Sequence, residues 1–414
     1  MIQYILWAVS FISLWISLVW LNMLVFEPSV RRSMPKKLPL VTIGIPCFNR
    51  EKNIAKTIKS LSELNYPMRL LQVIIVDDCS TDNTFAEAKR MQSLYPNLNI
   101  EVFHHKKNSG KSAAVNTAIS HARGELFTCL DADTRVHSES LNYLIPHFKN
   151  QNLGVVIGQV KVDEPQNLYE RIQRVEYITS NFIRRMMSSL GTLAVAPGGA
   201  LSMFNMAILK KVGGFVEAGM TEDLEIALRL RSNGYEVEMD PRAIMYTKVP
   251  ESWAALWSQR IRWYRGFAVN HWKYRMLLFK KSQGLYGLFQ MPLNVLGIFL
   301  LLLTVTLVGY GTITDLYETL YRSLTIKGYF INHLLDFPGF KKFFLSQNVQ
   351  VTLPIILGIV LGIYLVYLAH KEFNERFLKN VHHVAIYTIV APYVTTVHWI
   401  SAIMHEALRT RKKW

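Results

Sequence analysis

Residues 71–84 read LQVIIVDDCSTDNT: an almost unbroken apolar run, then Asp77 and Asp78, then a turn-rich stretch of Ser, Thr, Asn and Asp. A run this short, β-branched and apolar on both faces fits a strand covered on both sides of a sheet. The same pattern recurs outward along the chain in LVTIGIP (40–46), NIEVFHH (99–105) and GELFTCLDAD (124–133). Between these runs lie amphipathic helical patterns, NIAKTIKSLSEL (53–64) and KSAAVNTAISHA (111–122). Strands alternating with helices predict an α/β domain built on a parallel sheet of nucleotide-binding type over residues 38–250.

In such a sheet ligands bind beyond the carboxyl ends of the strands, and the acids gather at those ends. Asp77 and Asp78 close one strand; Asp131 and Asp133 close another, two residues apart, so that on extended backbone they point the same way and can share a ligand or a hard cation. The first strand is followed by no G-x-G-x-x-G, and the chain holds no G-x-x-x-x-G-K-[ST], which disfavours a dehydrogenase or a P-loop NTPase. KKNSGKSAAVN (106–116) offers instead Gly110, where backbone can approach a ligand, and Lys111, which either meets a phosphate or simply opens a helix as a solvated lysine.

Two later stretches carry chemistry. In GMTEDLEIALRLRSNGYEV (219–237), Thr221 fits a helix N-cap, and Glu222 and Asp223 complement the helix dipole; the functional alternative makes one of these carboxylates a general base. SQRIRWYRG (258–266) sets arginines among aromatics some twenty residues ahead of a long apolar segment.

That segment is one of several. Of 414 residues half are apolar, and charge-free runs extend over Tyr4–Phe26, Gly284–Thr314, Gln350–Ala369 and Val381–Met404, each near the roughly 20 residues that cross a bilayer. The first reads as a retained signal anchor, and Arg31, Arg32, Lys36 and Lys37 after it place the next segment in the cytoplasm. Pro392 makes the last run a candidate for a broken, tilted or re-entrant helix. If every run crosses once, the basic tail RTRKKW (409–414) emerges outside, against its charge; either one run does not cross or residues 315–348 hide another membrane element. The net charge of +16 resides in clusters bordering the apolar runs (31–37, 273–281, 409–413), which favours anionic lipid as the partner over nucleic acid. Cys47, Cys79 and Cys129 stand singly, with no metal-type pairing, so reduced thiols are expected.

Taken in order, PCFNREKN, VDDCSTDNT, NSGKSAAVN, LDADT, PGGA, TEDLEIALRL and QRIRW resemble the membrane-embedded family 2 glycosyltransferases, the group of the poly-N-acetylglucosamine, hyaluronan and cellulose synthases. The set spans residues 41–263, and the TED variant with one clear N-terminal helix is most similar to the bacterial poly-β-1,6-N-acetylglucosamine synthases of biofilm polysaccharide. Arg50, VIGQVKV (156–162) and WYRG (263–266) depart from the usual pattern near the donor and acceptor contacts.

The resemblance implies a cytoplasmic GT-A domain (38–250) between an N-terminal transmembrane helix (1–30), interfacial helices (251–282) and C-terminal transmembrane helices (283–414), in a multi-pass plasma-membrane enzyme. It implies that Pro46, Asp77, Asp78, Lys111 and Asp131 bind a UDP-sugar donor and that Asp133, with Asp131, holds Mg²⁺ or Mn²⁺. Asp223, within Thr221-Glu222-Asp223, would be the base. Gln259, Arg262 and Trp263 would receive the diphosphate and the growing polysaccharide acceptor, with Gly198 and Gly199 beside them. Trp253, Trp257 and Trp272 read better as an interfacial aromatic belt. Gln290, Pro292 and Asn294 in the second apolar run imply a helix with one face toward protein or water, along a path for the polymer.

The expected activity is processive, inverting polymerisation of a UDP-sugar, UDP-GlcNAc foremost, with secretion through the membrane helices and room for a small membrane accessory subunit. Hyaluronan- or cellulose-type synthesis, transfer of one sugar to a lipid, and a non-enzymatic transporter or receptor with a nucleotide-binding domain are the alternatives.

Overall fold

The computed structural model describes residues 2–23, 32–195, 201–216, 220–331 and 349–408. An eight-stranded sheet runs in the order β3-β2-β1-β4-β7-β6-β8-β5. Its strands are β1 (Val41–Cys47), β2 (Leu71–Asp77), β3 (Asn99–His104), β4 (Leu126–Cys129), β5 (Thr134–Val136), β6 (Leu153–Val162), β7 (Ser202–Asn205) and β8 (Glu236–Thr247). The expected strands are present, but the sheet is mixed, not parallel throughout. β3, β2, β1 and β4 are parallel, whereas β7 is antiparallel to β4 and β6, and β5 is antiparallel to β8.

In-register parallel pairing brings Cys47, Asp77 and His104 to one edge, so the acids after β2 and β4 arise at a common rim. Each face is sealed by helices. Ile54, Ile58 and Leu61 of α2 (Glu51–Ser62) and Met91 of α3 (Thr84–Leu94) pack on Ile43, Ile45 and Val73, with α5 (Ser140–Leu144) alongside. On the other face Ala114, Val115 and Ala118 of α4 (Lys111–His121) meet Ile74, Val76 and Phe127, joined by α7 (Met206–Lys211) and α8 (Glu222–Ser232). The β-branched residues alternate between these two layers, which is why the strands read as continuously apolar.

Two longer helices flank this unit. α6 (Leu168–Ser189) opens with a capping box between Asn167 and Glu170, and α9 (Trp253–Lys273) is capped by the Ser252 hydroxyl. Beyond lie α10 (Met291–Thr325), α11 (Val349–Glu372) and α12 (Val381–Ala407). With α1 (Ile2–Met23), the described residues hold four helices long and apolar enough to cross a membrane. α10, at 35 residues roughly 52 Å long, outruns the expected apolar run.

α1 packs on α11 and α10, and Trp20 joins a cluster of Ile178, Phe182, Ala369 and Phe373. α12 behaves differently. It runs unbroken through Pro392, its start packs Val384 on Val175 of α6, the His398 ring lies tilted against Trp257 of α9 at 4.5 Å, and Glu406 pairs with Arg265 at 2.6 Å. Both of its ends therefore touch the two long helices that flank the sheet domain, while Ile389, Val390, Tyr393, Val397 and Met404 form an exposed apolar face.

Behind α1 the chain is anchored by Arg32, whose guanidinium binds Glu238 of β8 through two nitrogens at 2.8 and 3.0 Å. His147 reaches Glu238 through Nδ1 at 2.6 Å and Asp240 through Nε2 at 3.0 Å. Burial opposes its charge, yet the hydrogen bonds to Asp240 and Glu238 prevail and raise its pKa.

Candidate active site

The rim beyond β1, β2 and β4 carries four acids in two roles. Asp77 is fully buried and accepts from Ser80 Oγ and, at 2.7 Å, from His104 Nδ1. Asp78 accepts from the backbone N–H of Ser109 at 3.0 Å and of Gly110 at 2.7 Å, and lies 2.7 Å from His105 Nδ1. Both carboxylates are engaged within the protein, pinning the loop that delivers Lys111. Gly110, at φ +86°, makes the turn that a side chain would resist. Pro46 stands near the end of β1, opposite Val76 in β2.

Lys111 joins the site together. Its Nζ lies 2.7 Å from Asp131 and 3.3 Å from Glu222, tying the acids after β4 to the start of α8. Burial opposes the ammonium charge, but Asp131 and Glu222 outweigh it and hold Lys111 protonated. Arg50 sits 3.4 Å from Asp133. The Asp133 carboxyl is pushed up by burial and by Asp131, so the acid pair draws positive charge. Two hard oxygen donors two residues apart on one turn fit a divalent cation whose shell is completed by phosphate and water. Among the described residues no three His, Cys, Asp or Glu side chains gather to hold a metal by themselves. Arg50 also lines an open cavity of about 530 Å³, with Lys52, Lys248 and Glu251 around its mouth.

Asp223, half-buried at the start of α8, accepts from the N–H of Leu224 at 2.8 Å. Thr221 does not cap α8 with its side chain, contrary to the expectation for that position. Its hydroxyl and carbonyl instead accept from Asn270 Nδ2 at 3.0 and 3.2 Å. Asn270 is 1% exposed, and a Cβ at Gly266 would overlap the Thr221 side chain, so α9 is seated directly on the TED turn. Competition from α9 for Thr221 is the physical reason the cap is not made.

On the same helix Gln259, Arg262 and Trp263 are half-buried. Arg260 stacks 4.2 Å over the Trp263 ring, pairs with Glu176 of α6 at 2.7 Å and donates to Gln259 at 3.3 Å. Arg184 of α6 feels both Asp223 and Arg260, and its burial lowers its pKa. Trp253 and Trp257 pack on each other and on His398 of α12, while Trp272 is exposed. Gln290 donates to Asn294, which donates at 3.1 Å to His271 of α9. Those polar residues thus face α9. His271 donates to the Phe267 carbonyl, and burial lowers its pKa to about 4, so it stays neutral. Gly198 and Gly199 lie outside the described residues. Sequence reasoning missed Glu176, Arg184, Arg260, Gly266 and Asn270; only Arg260, three residues before Trp263 on one helical face, left a readable signal.

Residues 42–213 match the family described as Glycosyl transferase family 2. That stretch, under half of the chain, is similar to family 2 glycosyltransferases. Among curated proteins, this chain is 32% identical over 228 residues to a poly-beta-1,6-N-acetyl-D-glucosamine synthase of Staphylococcus epidermidis, covering 55% of this chain and 54% of the relative. It is 29% identical over 250 residues to the protein of the same name from Staphylococcus aureus, covering 58% and 59%. The alignments therefore span little more than half the length of these relatives. Among solved structures, a mannosyltransferase from Pyrobaculum calidifontis, determined with GDP-Man and Mn²⁺, superposes with a TM-score of 0.64 at 18% identity over 99% of this chain and 98% of that one. At that identity the likeness establishes fold alone: the sheet domain is of GT-A type.

Proposed function

We propose that the protein is an inverting glycosyltransferase that transfers sugar from a UDP-sugar, UDP-GlcNAc foremost, to a growing polysaccharide at the cytoplasmic face of the plasma membrane. The observation that carries this reading is the Lys111 bridge between Asp131 and Glu222, which makes the donor-side acids and the TED turn one site. The names of the staphylococcal relatives support the choice of sugar.

The acceptor hydroxyl attacks C1 as its proton passes to the Asp223 carboxylate, and the C1–O bond to UDP breaks. Asp133 and Asp131 would hold Mg²⁺ or Mn²⁺, which offsets the charge developing on the diphosphate. Lys111 adds a fixed positive charge there, and Arg262 supplies a planar fork for the phosphate oxygens. Trp263, braced by Arg260, presents a flat wall for the acceptor's terminal sugar.

For the membrane we propose that α1, α10 and α11 cross and that α12 lies along the interface, its exposed apolar face in lipid and its other face on α6 and α9. Residues 409–414 then stay on the catalytic side, where their basic charge belongs.

A second reading, transfer of one sugar to a lipid acceptor, is favoured by one observation: Gln290 and Asn294 are tied to His271 and do not face a path. Incubating the purified chain with Mn²⁺ and UDP-GlcNAc, UDP-Glc, or UDP-GlcNAc plus UDP-GlcA separates the readings. High-molecular-weight product from UDP-GlcNAc alone is expected. A need for both sugars moves the assignment to hyaluronan, and single-sugar lipid products sink processivity.

A further inference from the structure

At the N-terminal end of α6 lies a second, smaller cavity of about 390 Å³. Arg171 and Arg174 wall it from α6, Lys379 from the turn between α11 and α12, His382 and His383 from the first turn of α12, and Glu164 supplies its carboxylate. The nearby Glu375 adds no anionic character, because it is paired with Arg174 at 2.5 Å and with Lys161 at 3.3 Å. The lining is thus rich in cations, and three further features point to an anion.

First, His383 is 93% buried (7% exposed), yet among the described residues its ring nitrogens meet no hydrogen-bond partner, only the His382 ring at 3.8 Å. Those nitrogens are not sealed off but open to the cavity, where they can meet a bound group. Second, α12 and the short 3-10 turn that leads into it, Leu378–Asn380, begin beside the same cavity, which places the positive end of the helix dipole there. Third, Arg171 and Lys379, both exposed at the mouth, have no ion-pair partner among the described residues.

We propose that this cavity binds the phosphate of an anionic membrane phospholipid, seating the glycosyltransferase domain on the bilayer through α6. The source is a lipid because the cations sit where apolar helices meet the catalytic unit, flanked by Leu378, 82% exposed, and Val381, 49% exposed, which continue the lining into an apolar surface suited to acyl chains. Arg171 forks onto two phosphate oxygens, Lys379 adds a point charge, and His383 donates from the buried wall. The site is independent of the donor chemistry and stands whichever sugar is transferred.

The test uses the full chain purified in detergent, titrated with phosphatidylglycerol or phosphatidylcholine and read by native mass spectrometry. The wild type is expected to retain phosphatidylglycerol over phosphatidylcholine. The double variant Arg171→Gln/Lys379→Gln, both exposed positions, should retain it about tenfold less well, or about 1.4 kcal/mol. A charge-matched control, Lys281→Gln/Lys371→Gln, outside the cavity, should behave as wild type, with thermal melting confirming that all three are folded. Equal retention by the cavity variant, or equal loss in the control, overturns the proposal. Displacement of the lipid by millimolar inorganic phosphate overturns the lipid assignment and leaves a free-oxyanion site.

Discussion

Thr221, Gly266 and Asn270 show what motif reading reaches and what it leaves behind. TED and QRIRW are legible because acids and an Arg-Trp pair at fixed spacing have chemical meaning in one dimension. That the two motifs touch is not legible, since a glycine and an asparagine inside a helix carry no pattern that says a threonine 49 residues away rests on them. Removing the amide in Asn270→Ala takes the donor from the Thr221 hydroxyl, while the Thr221 carbonyl keeps the Glu225 N–H, and should cost about 1–3 kcal/mol in stability. It should also lower kcat about tenfold while donor affinity holds, measurable as a split between turnover and UDP binding. Gly266→Ala pushes α9 off the TED turn, and a misplacement on the order of 1 Å can cost about 10²-fold in rate. Normal turnover in Gly266→Ala would mean that the contact does not position the base.

Among the elements, β1, β2 and β4 were readable because two-sided burial writes a nearly unbroken apolar run, whereas β3, half-buried at the sheet edge, shows only a short apolar core. The rest of the sheet was not: β7 turns back antiparallel between β4 and β6, and β8 pairs with β6 across register shifts, so local apolarity says nothing of direction. The Arg32–His147–Glu238–Asp240 cluster was equally hidden, its members more than a hundred residues apart in part. It makes a pH-dependent clamp on the chain behind α1. His147 has a raised pKa in the fold, so its contribution is complete below about 6.5, the unfolded value, and fades as pH rises through the folded one. Glu238 and Asp240 have lowered values, so their contributions fail only under acid. His147→Gln should therefore lose about 1–3 kcal/mol at pH 6 and progressively less toward pH 9. Melting curves across that range check it; a penalty that grows with pH would contradict the clamp.

Across the whole molecule, hydropathy finds the apolar helices but cannot say which ones cross. Length and composition pass all four, α12 included. What distinguishes α12 is tertiary: α11 meets α6 only through its C-terminal part, whereas Val384, His398 and Glu406 rest α12 on α6 or α9 from one end to the other. With three crossings the C-terminus shares a side with the glycosyltransferase domain. A reporter fused after Trp414 and a cysteine at exposed Lys52 should show the same sidedness in intact cells, and opposite sidedness would restore a fourth crossing.

The central claim is that Lys111, the donor-side acids and the TED turn form one catalytic site with Asp223 as base. The most direct measurement is UDP release from UDP-GlcNAc by purified wild type and Asp223→Asn, with and without Mn²⁺, alongside donor binding. Losing a positioned base costs about 10²–10⁴-fold, so the account predicts Mn²⁺-dependent release by the wild type, near-background release by Asp223→Asn, and unchanged donor affinity. Undiminished turnover by Asp223→Asn would contradict it.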